Sequence, residues 1–131
     1  MSYSTEDIRN IAFVGQAGAG KTTLVERLLY AAGEIPAMGS VARGDTVCDF
    51  DPQEKALQHS LDVSIVNLNT QGRHINILDT PGYIDFMGRT MSILAAVETA
   101  AVIVNAAVGI EAVTQRMMTA AWNRSLCRLI I

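Results

Sequence analysis

Cysteine is scarce. Cys48 and Cys127 are the only two, they lie far apart in the chain, and neither has a His or Cys near it at metal-ligand spacing. A zinc-finger framework and a disulfide scaffold are therefore excluded as organising principles. One disulfide stays open on the sequence, and two free thiols of a cytosolic chain are the expected state. Long apolar runs are missing too: the most apolar stretch, 100–110, is interrupted by Asn105 and falls well short of the roughly 20 residues that cross a bilayer. The opening MSYSTEDIRN carries two acids and no apolar run, unlike a signal peptide. These features predict a soluble, cytoplasmic protein with no membrane partner. Positive charge is also short, with ten Lys and Arg against thirteen Asp and Glu and a formal net charge of −3. No general nucleic-acid binding is indicated, although a local positive potential still suits an anionic ligand.

Apolar material is plentiful. Half of the 131 residues are hydrophobic and only 18% are charged, which excludes an intrinsically disordered chain. A folded chain of this length buries roughly 65–70% of its unfolded surface, enough for one domain with a core.

The pattern along the chain predicts alternating strands and helices. Ile11-Ala12-Phe13-Val14 reads as a buried strand stopped by Gly15. Leu24, Val25, Leu28, Leu29 and Ala32 follow Lys21 at helical spacing, and Gly33 and Pro36 end that helix. The stretch 34–62 keeps no period, and a connection of that length in a compact domain usually carries function. Val63–Asn69 and His74–Asp79 form a hairpin pattern through Thr70-Gln71-Gly72-Arg73. Met87, Met91, Leu94 and Val97 mark a helix, 101–104 a strand, Val113, Met117, Ala120 and Ala121 a helix, and 126–131 a further apolar run. The order predicts a three-layer α/β fold with a mostly parallel sheet. A last strand with no helix after it suggests the N-terminal part of a larger protein, truncated before its closing elements.

Gly15-Gln16-Ala17-Gly18-Ala19-Gly20-Lys21-Thr22 matches GxxxxGK[ST] in full, a pattern expected by chance in a chain of this length on the order of once in two hundred. It follows a predicted strand and opens a predicted helix, as phosphate binding requires. Glycines let the loop turn its N–H groups on a phosphate, and the helix N-terminus adds positive potential. Lys21 would reach the β- and γ-phosphates, the Thr22 hydroxyl would ligate Mg²⁺, and Thr23 completes the phosphate-binding set. Asp79-Thr80-Pro81-Gly82 is the second element. A carboxylate closing a buried strand beside that loop can hold Mg²⁺ through water, and the Gly82 N–H can meet a γ-phosphate, so that 79–86 would sense its presence.

Together these elements resemble the G domain of translational GTPases. Ile77-Leu78-Asp79-Thr80-Pro81-Gly82-Tyr83-Ile84-Asp85-Phe86 is similar to the family's DTPGHVDF strand and loop. Val104–Glu111 and Thr114-Gln115 fit the strand, loop and helix that follow it. Gly44–Pro52, with Glu54 and Lys55, is similar to the first switch of elongation factor G-like proteins. The resemblance implies a P-loop NTPase fold, 1–131 being the N-terminal portion of a G domain with a first switch at 35–62. It further implies GTP and GDP as ligands with Mg²⁺, GTP hydrolysis, and the ribosome as partner. The family's guanine-reading NKxD motif is expected directly after Ile131.

Three positions depart from the family pattern. The catalytic His after the DTPG glycine is Tyr83, a neutral phenol, which implies slow hydrolysis unless Tyr83 packs on the first switch and hydrolysis is driven otherwise. The switch-one Thr that completes Mg²⁺ coordination has Ser60 nearest its place, with Ser64 and Thr46 as weaker candidates. Gly18 stands where many relatives carry Asp. His59, beside Ser60, could approach the γ-phosphate but reads as an exposed loop residue, His74 as solvent-facing, the helix methionines as core filler with a methionine-lined partner groove as the alternative, and Trp122 as core or domain-interface packing. Two alternatives accompany the GTPase reading: a nucleotide-dependent switch with little hydrolysis, and a P-loop ATPase, disfavoured by the DTPG placement and the absence of LSGGQ.

Overall fold

The computed structural model describes residues 3–131. Five strands, β1 (Ile8–Val14), β2 (Ser64–Thr70), β3 (Arg73–Asp79), β4 (Thr99–Val102) and β5 (Cys127–Ile130), form one sheet in the order β2-β3-β1-β4-β5. Every neighbouring pair is parallel except the β2–β3 hairpin. Among the described residues four α-helices accompany it: α1 (Lys21–Ala31), α2 (Pro52–Leu57), α3 (Met87–Ile93) and α4 (Ala112–Asn123).

Alternation along β1 divides the core between the sheet's two faces. Phe13 packs with Val25 and Leu29 of α1 and with Val66, Leu68 and Ile77. Ala12 and Val14 pack with Leu94, Val97, Met117, Ala120 and Ala121, on the side of α3 and α4. The three layers predicted from the sequence are thus present, and each fully buried aliphatic side chain contributes about 1.5–3 kcal/mol.

Some boundaries differ from the sequence pattern. β1 starts at Ile8 because Arg9 and Asn10 pair with Ile75 and Asn76 of β3 even though they interrupt the apolar run. Backbone pairing decides there, and hydropathy does not. α3 ends at Ile93, so Leu94 and Val97 are buried just beyond the helix whose periodicity they extend. Of the two readings of Trp122, core packing is overturned: the side chain is 65% exposed, with the Arg128 guanidinium 4.2 Å from its ring centroid. The methionines behave as expected, Met117 buried in the core and Met87, Met91 and Met118 packed against it from partly buried positions. Both cysteines are free, Cys48 buried and Cys127 exposed on β5. His74 is half-buried, its Nδ1 lying 2.9 Å from the Asn69 Oδ1.

The stretch 34–62 is more ordered than its lack of period indicated. Asp51 caps α2, its carboxylate accepting the Gln53 N–H at 2.7 Å; Pro52 occupies the first turn and Glu54 completes a capping box. Among the described residues no helix is long and apolar enough to cross a membrane.

Candidate functional site

The parallel strands β1 and β3 run side by side, Phe13 opposite Asp79, so the loop after β1 and the carboxylate closing β3 emerge together at the carboxyl edge of the sheet. That edge is where open α/β sheets place ligands. Loop 15–20 turns through left-handed conformations at Gly15, Gly18 and Gly20. At Gly15 the requirement is also steric, since a Cβ would stand 2.4 Å from the Ile103 carbonyl oxygen.

The loop and the two later segments enclose a cavity of about 300 Å³ lined by residues of 17–23, 41, 49, 58–60, 80 and 83. Lys21 is buried at its floor, donating to the carbonyls of Gly15 (3.0 Å) and Gln16 (2.8 Å). Burial pulls its ammonium down to about 8, against the attraction of Asp79. The Thr22 hydroxyl donates to Asp79 Oδ2 at 2.6 Å, and Ser60 Oγ lies 3.5 Å from Thr22 Oγ1. Burial pushes Asp79 up to about 6, against the Thr22 hydrogen bond and the Lys21 charge, with Asp49 adding to the rise. The other Asp79 oxygen, Oδ1, is buried without a hydrogen-bond partner.

Not every residue of the predicted set faces this space. Gly15 and Gln16 contribute backbone carbonyls; the buried Gln16 side chain instead accepts from the Thr114 hydroxyl (2.8 Å) and the Glu111 N–H (3.3 Å) at the start of α4. Ala19 packs toward the α1 side of the core. Asn105 donates to the Gly18 carbonyl at 3.3 Å, fastening the loop to the segment after β4. Thr80 lines the cavity while its hydroxyl is committed to the Phe13 carbonyl (2.7 Å), and Pro81 is buried with its carbonyl 3.4 Å from the Thr90 hydroxyl. Gly82 leaves no room for a side chain: a Cβ would lie 2.4 Å from Ala17 N and 2.5 Å from Lys21 Nζ. Its carbonyl accepts the Ala17 N–H at 3.0 Å, so the backbone after Asp79 is locked to the phosphate-loop backbone.

Three buried carboxylates have a role here that the sequence reading did not assign them. Asp49 accepts the hydroxyls of Ser60 (2.7 Å) and Thr46 (3.0 Å). Glu54 takes the N–H groups of Leu61 (2.9 Å) and Asp62 (3.2 Å), and Glu26 of α1 takes those of Gly39 and Val47. Among the described residues none of the three forms a salt bridge; they are satisfied by loop N–H and hydroxyl groups. Glu54 was readable from Asp51-Pro52-Gln53-Glu54, a helix-start signature. Glu26 gave no local signal, because its partners lie 13 and 21 positions away. Of the alternatives to Ser60, Thr46 is committed to Asp49, and Ser64 donates to the Cys48 carbonyl at 2.6 Å. His59 is half-buried, with its ring centroid 4.4 Å from that of Tyr83, which corrects the solvated reading. Burial, with Asp79 and Asp49 nearby, pushes the Cys48 thiol far up, so it stays protonated.

Residues 6–131 match the family described as the elongation factor Tu GTP binding domain. The chain is 41% identical over 126 residues to a protein of Drosophila virilis named mitochondrial ribosome-releasing factor 2, covering 96% of this chain and 18% of that one. It is also 41% identical over 110 residues to an elongation factor G-like protein of Mycobacterium tuberculosis, covering 84% of this chain and 15% of that one. A solved protein of Thermus thermophilus superposes with a TM-score of 0.90 at 38% identity, over 94% of this chain and 19% of that one. A bacterial selenocysteine-specific elongation factor shares the fold, with a TM-score of 0.73 at 20% identity, over 90% of this chain and 18% of that one. The chain thus spans less than a fifth of the length of these relatives. With the phosphate loop, the Asp79 strand end and the sheet order all in place, the chain belongs to the elongation factor Tu GTP-binding domain family, and its fold is that of a P-loop GTPase G domain.

Proposed function

We propose that this chain binds GTP with Mg²⁺ and hydrolyses it as the G domain of a cytoplasmic, elongation factor G-like factor working on the ribosome. The observation that carries the reading is the cluster of Thr22, Ser60, Asp49 and Asp79 beside Lys21, with Asp79 Oδ1 buried and unpartnered. Two hydroxyls and two carboxylates are a donor set suited to Mg²⁺ completed by waters and phosphate oxygens. Thr22 and Ser60 would hold the ion directly, and Asp79 and Asp49 would hold its waters. The ion supplies charge neutralisation at the β- and γ-phosphates.

The rest is done by the chain. N–H groups of loop 15–23 wrap the phosphates, and Lys21 leaves the Gly15 and Gln16 carbonyls for the β- and γ-phosphate oxygens. The 80–82 backbone, held against Ala17, registers whether the γ-phosphate is there. Such catalysis is mostly positioning and charge stabilisation.

Calorimetry on Lys21→Ala in the full-length protein tests this: Mg²⁺–GTP affinity is expected to fall at least about 100-fold, in line with the loss of a charged hydrogen-bonding group from a desolvated site. Undiminished affinity overturns the assignment. The second reading, a switch that binds GTP and hardly hydrolyses it, draws on Tyr83, whose ring lies against His59 and whose phenol carries no cation. GTP-tightened ribosome binding with no acceleration of hydrolysis by ribosomes would establish the switch in place of the enzyme.

A further inference from the structure

We propose that His59 is a catalytic residue of this domain, accepting a hydrogen bond from the water that attacks the γ-phosphorus, with Tyr83 as the wall that holds its ring in place. This rests on the GTPase reading above and adds to it the identity of the water-holding group.

Tyr83 occupies the place after Gly82 where a water-positioning side chain would be sought. A phenol there is 44% exposed, and among the described residues its side chain makes no hydrogen bond; its ring meets the imidazole of His59, centroids 4.4 Å apart and planes inclined by 49°. Both rings line the same cavity as Lys21, Thr22 and Ser60. The packing alternative for Tyr83 is therefore the geometry observed, and the side chain it packs against, His59, offers an imidazole lone pair that can accept a hydrogen bond from a water.

The imidazole is also oriented. Its Nδ1 lies 3.4 Å from the Ser60 carbonyl oxygen. A carbonyl only accepts, so the tautomer that uses this contact carries its hydrogen on Nδ1 and leaves Nε2 as an acceptor. His59 follows directly after Gln58, which ends α2 in a left-handed conformation (φ 56°), and its N–H is bonded to the Glu54 carbonyl at 3.3 Å. Its neighbour Ser60 is pinned to Asp49. Backbone on both sides of His59 is thus fixed, which a water-orienting group needs.

In the step itself the water oxygen forms its bond to the γ-phosphorus while the bond from phosphorus to the bridging oxygen breaks, its electron pair leaving on GDP. One water proton stays on the new P–OH. The other passes to a γ-phosphate oxygen, so that GTP⁴⁻ and water give GDP³⁻ and H₂PO₄⁻. His59 orients the water throughout and keeps its own hydrogen.

The test uses the full-length protein with ribosomes and single-turnover GTP hydrolysis. His59→Phe keeps the ring against Tyr83 and removes both nitrogens; hydrolysis is expected to fall about 100-fold or more. Affinity for GDP and for a non-hydrolysable GTP analogue should stay within about threefold, showing an intact site, while affinity for GDP with aluminium fluoride falls with the rate. His59→Gln, whose amide oxygen reaches toward the Nε2 position, should recover part of the loss. Wild-type hydrolysis in His59→Phe overturns the assignment of His59 and leaves the GTPase reading standing. A wild-type protein that binds GTP without hydrolysing it overturns the GTPase reading and this assignment together.

Discussion

Asp79 carries the most telling chemistry of any single residue. Its carboxyl is buried among a cation, a hydroxyl and a second carboxylate, and the balance raises it from the ordinary 3.8 to about 6. A raised folded-state value means the folded protein holds that proton more tightly than the unfolded chain between those limits. The group's contribution to stability is therefore fully present below about pH 4 and is lost as pH rises through 6. The ionised form then costs about 3 kcal/mol, because each tenfold difference in proton affinity is worth about 1.4 kcal/mol. Asp79→Asn, which imitates the neutral form, is expected to melt above wild type at pH 7 in the absence of nucleotide, with the gap closing as pH falls toward 4. Melting curves of both proteins across that range check it; a gap independent of pH refutes the assignment. Such a penalty is what a cation would relieve, so the same variant should lose Mg²⁺-dependent nucleotide binding. Gly82 makes a second prediction at this scale. A methyl group 2.4 Å from Ala17 N and 2.5 Å from Lys21 Nζ cannot be accommodated without moving one of them. Gly82→Ala should weaken Mg²⁺–GTP binding by about tenfold or more, equivalent to about 1.4 kcal/mol, measured by fluorescent-nucleotide titration.

Among the elements, α2 shows how short-range order is made inside an otherwise irregular segment. Six residues are too few to form a stable helix alone. The Asp51 cap, Pro52 and the buried Glu54 compensate, and Glu54 does two jobs: it closes the capping box and holds the N–H groups of Leu61 and Asp62. Glu54→Ala would strip buried donors of their acceptor at about 1–3 kcal/mol, releasing the segment that carries His59 and Ser60. Limited proteolysis should then cut within 51–62 faster than in wild type, with the β-sheet fragments left resistant; equal cutting rates would show that the loop is held by other contacts. The physics of this element was partly legible, because capping acts over three residues and leaves a mark in sequence. The absence of period hid it, since a helix of under two turns has no repeat to display. The same limit explains α3: Leu94 and Val97 keep the spacing of Met87 and Met91, yet the backbone has already left the helix. Helix α1 was legible at both ends, by Lys21 after a left-handed Gly20 and by Gly33, where the N–H groups of Gly33 and Glu34 return to Tyr30 and Leu29.

At the scale of the whole molecule, the site is an agreement between three stretches distant in sequence, 15–22, 49–60 and 79–83, brought together by parallel pairing of β1 with β3 and by the fastening of the loop after α1 back onto that helix. The phosphate loop and the Asp79 turn were readable because each is local: spaced glycines, or a carboxylate at a strand end. What could not be read is which of the later residues meet them. The pairing of Ser60 with Asp49, of His59 with Tyr83 and of Glu26 with the loop backbone depends on a fold-level path that no local spacing records. The binding consequence is global in the same way. A ligand that contacts all three stretches stabilises the folded molecule by its full binding free energy, about 2.7 kcal/mol at a free concentration one hundred times its dissociation constant. Mg²⁺–GTP should therefore raise the melting temperature of the full-length protein. Chelating the metal should remove most of that rise, because Thr22, Ser60 and the two carboxylates would then face the phosphates without a cation between them, and like charge would repel. Lys21→Ala should show no rise in either condition. A rise that persists undiminished in chelator would mean that the phosphate loop alone carries the binding energy, and that the Asp49–Ser60–Thr22–Asp79 cluster holds segments 49–60 and 79–83 together for structural reasons without serving a metal.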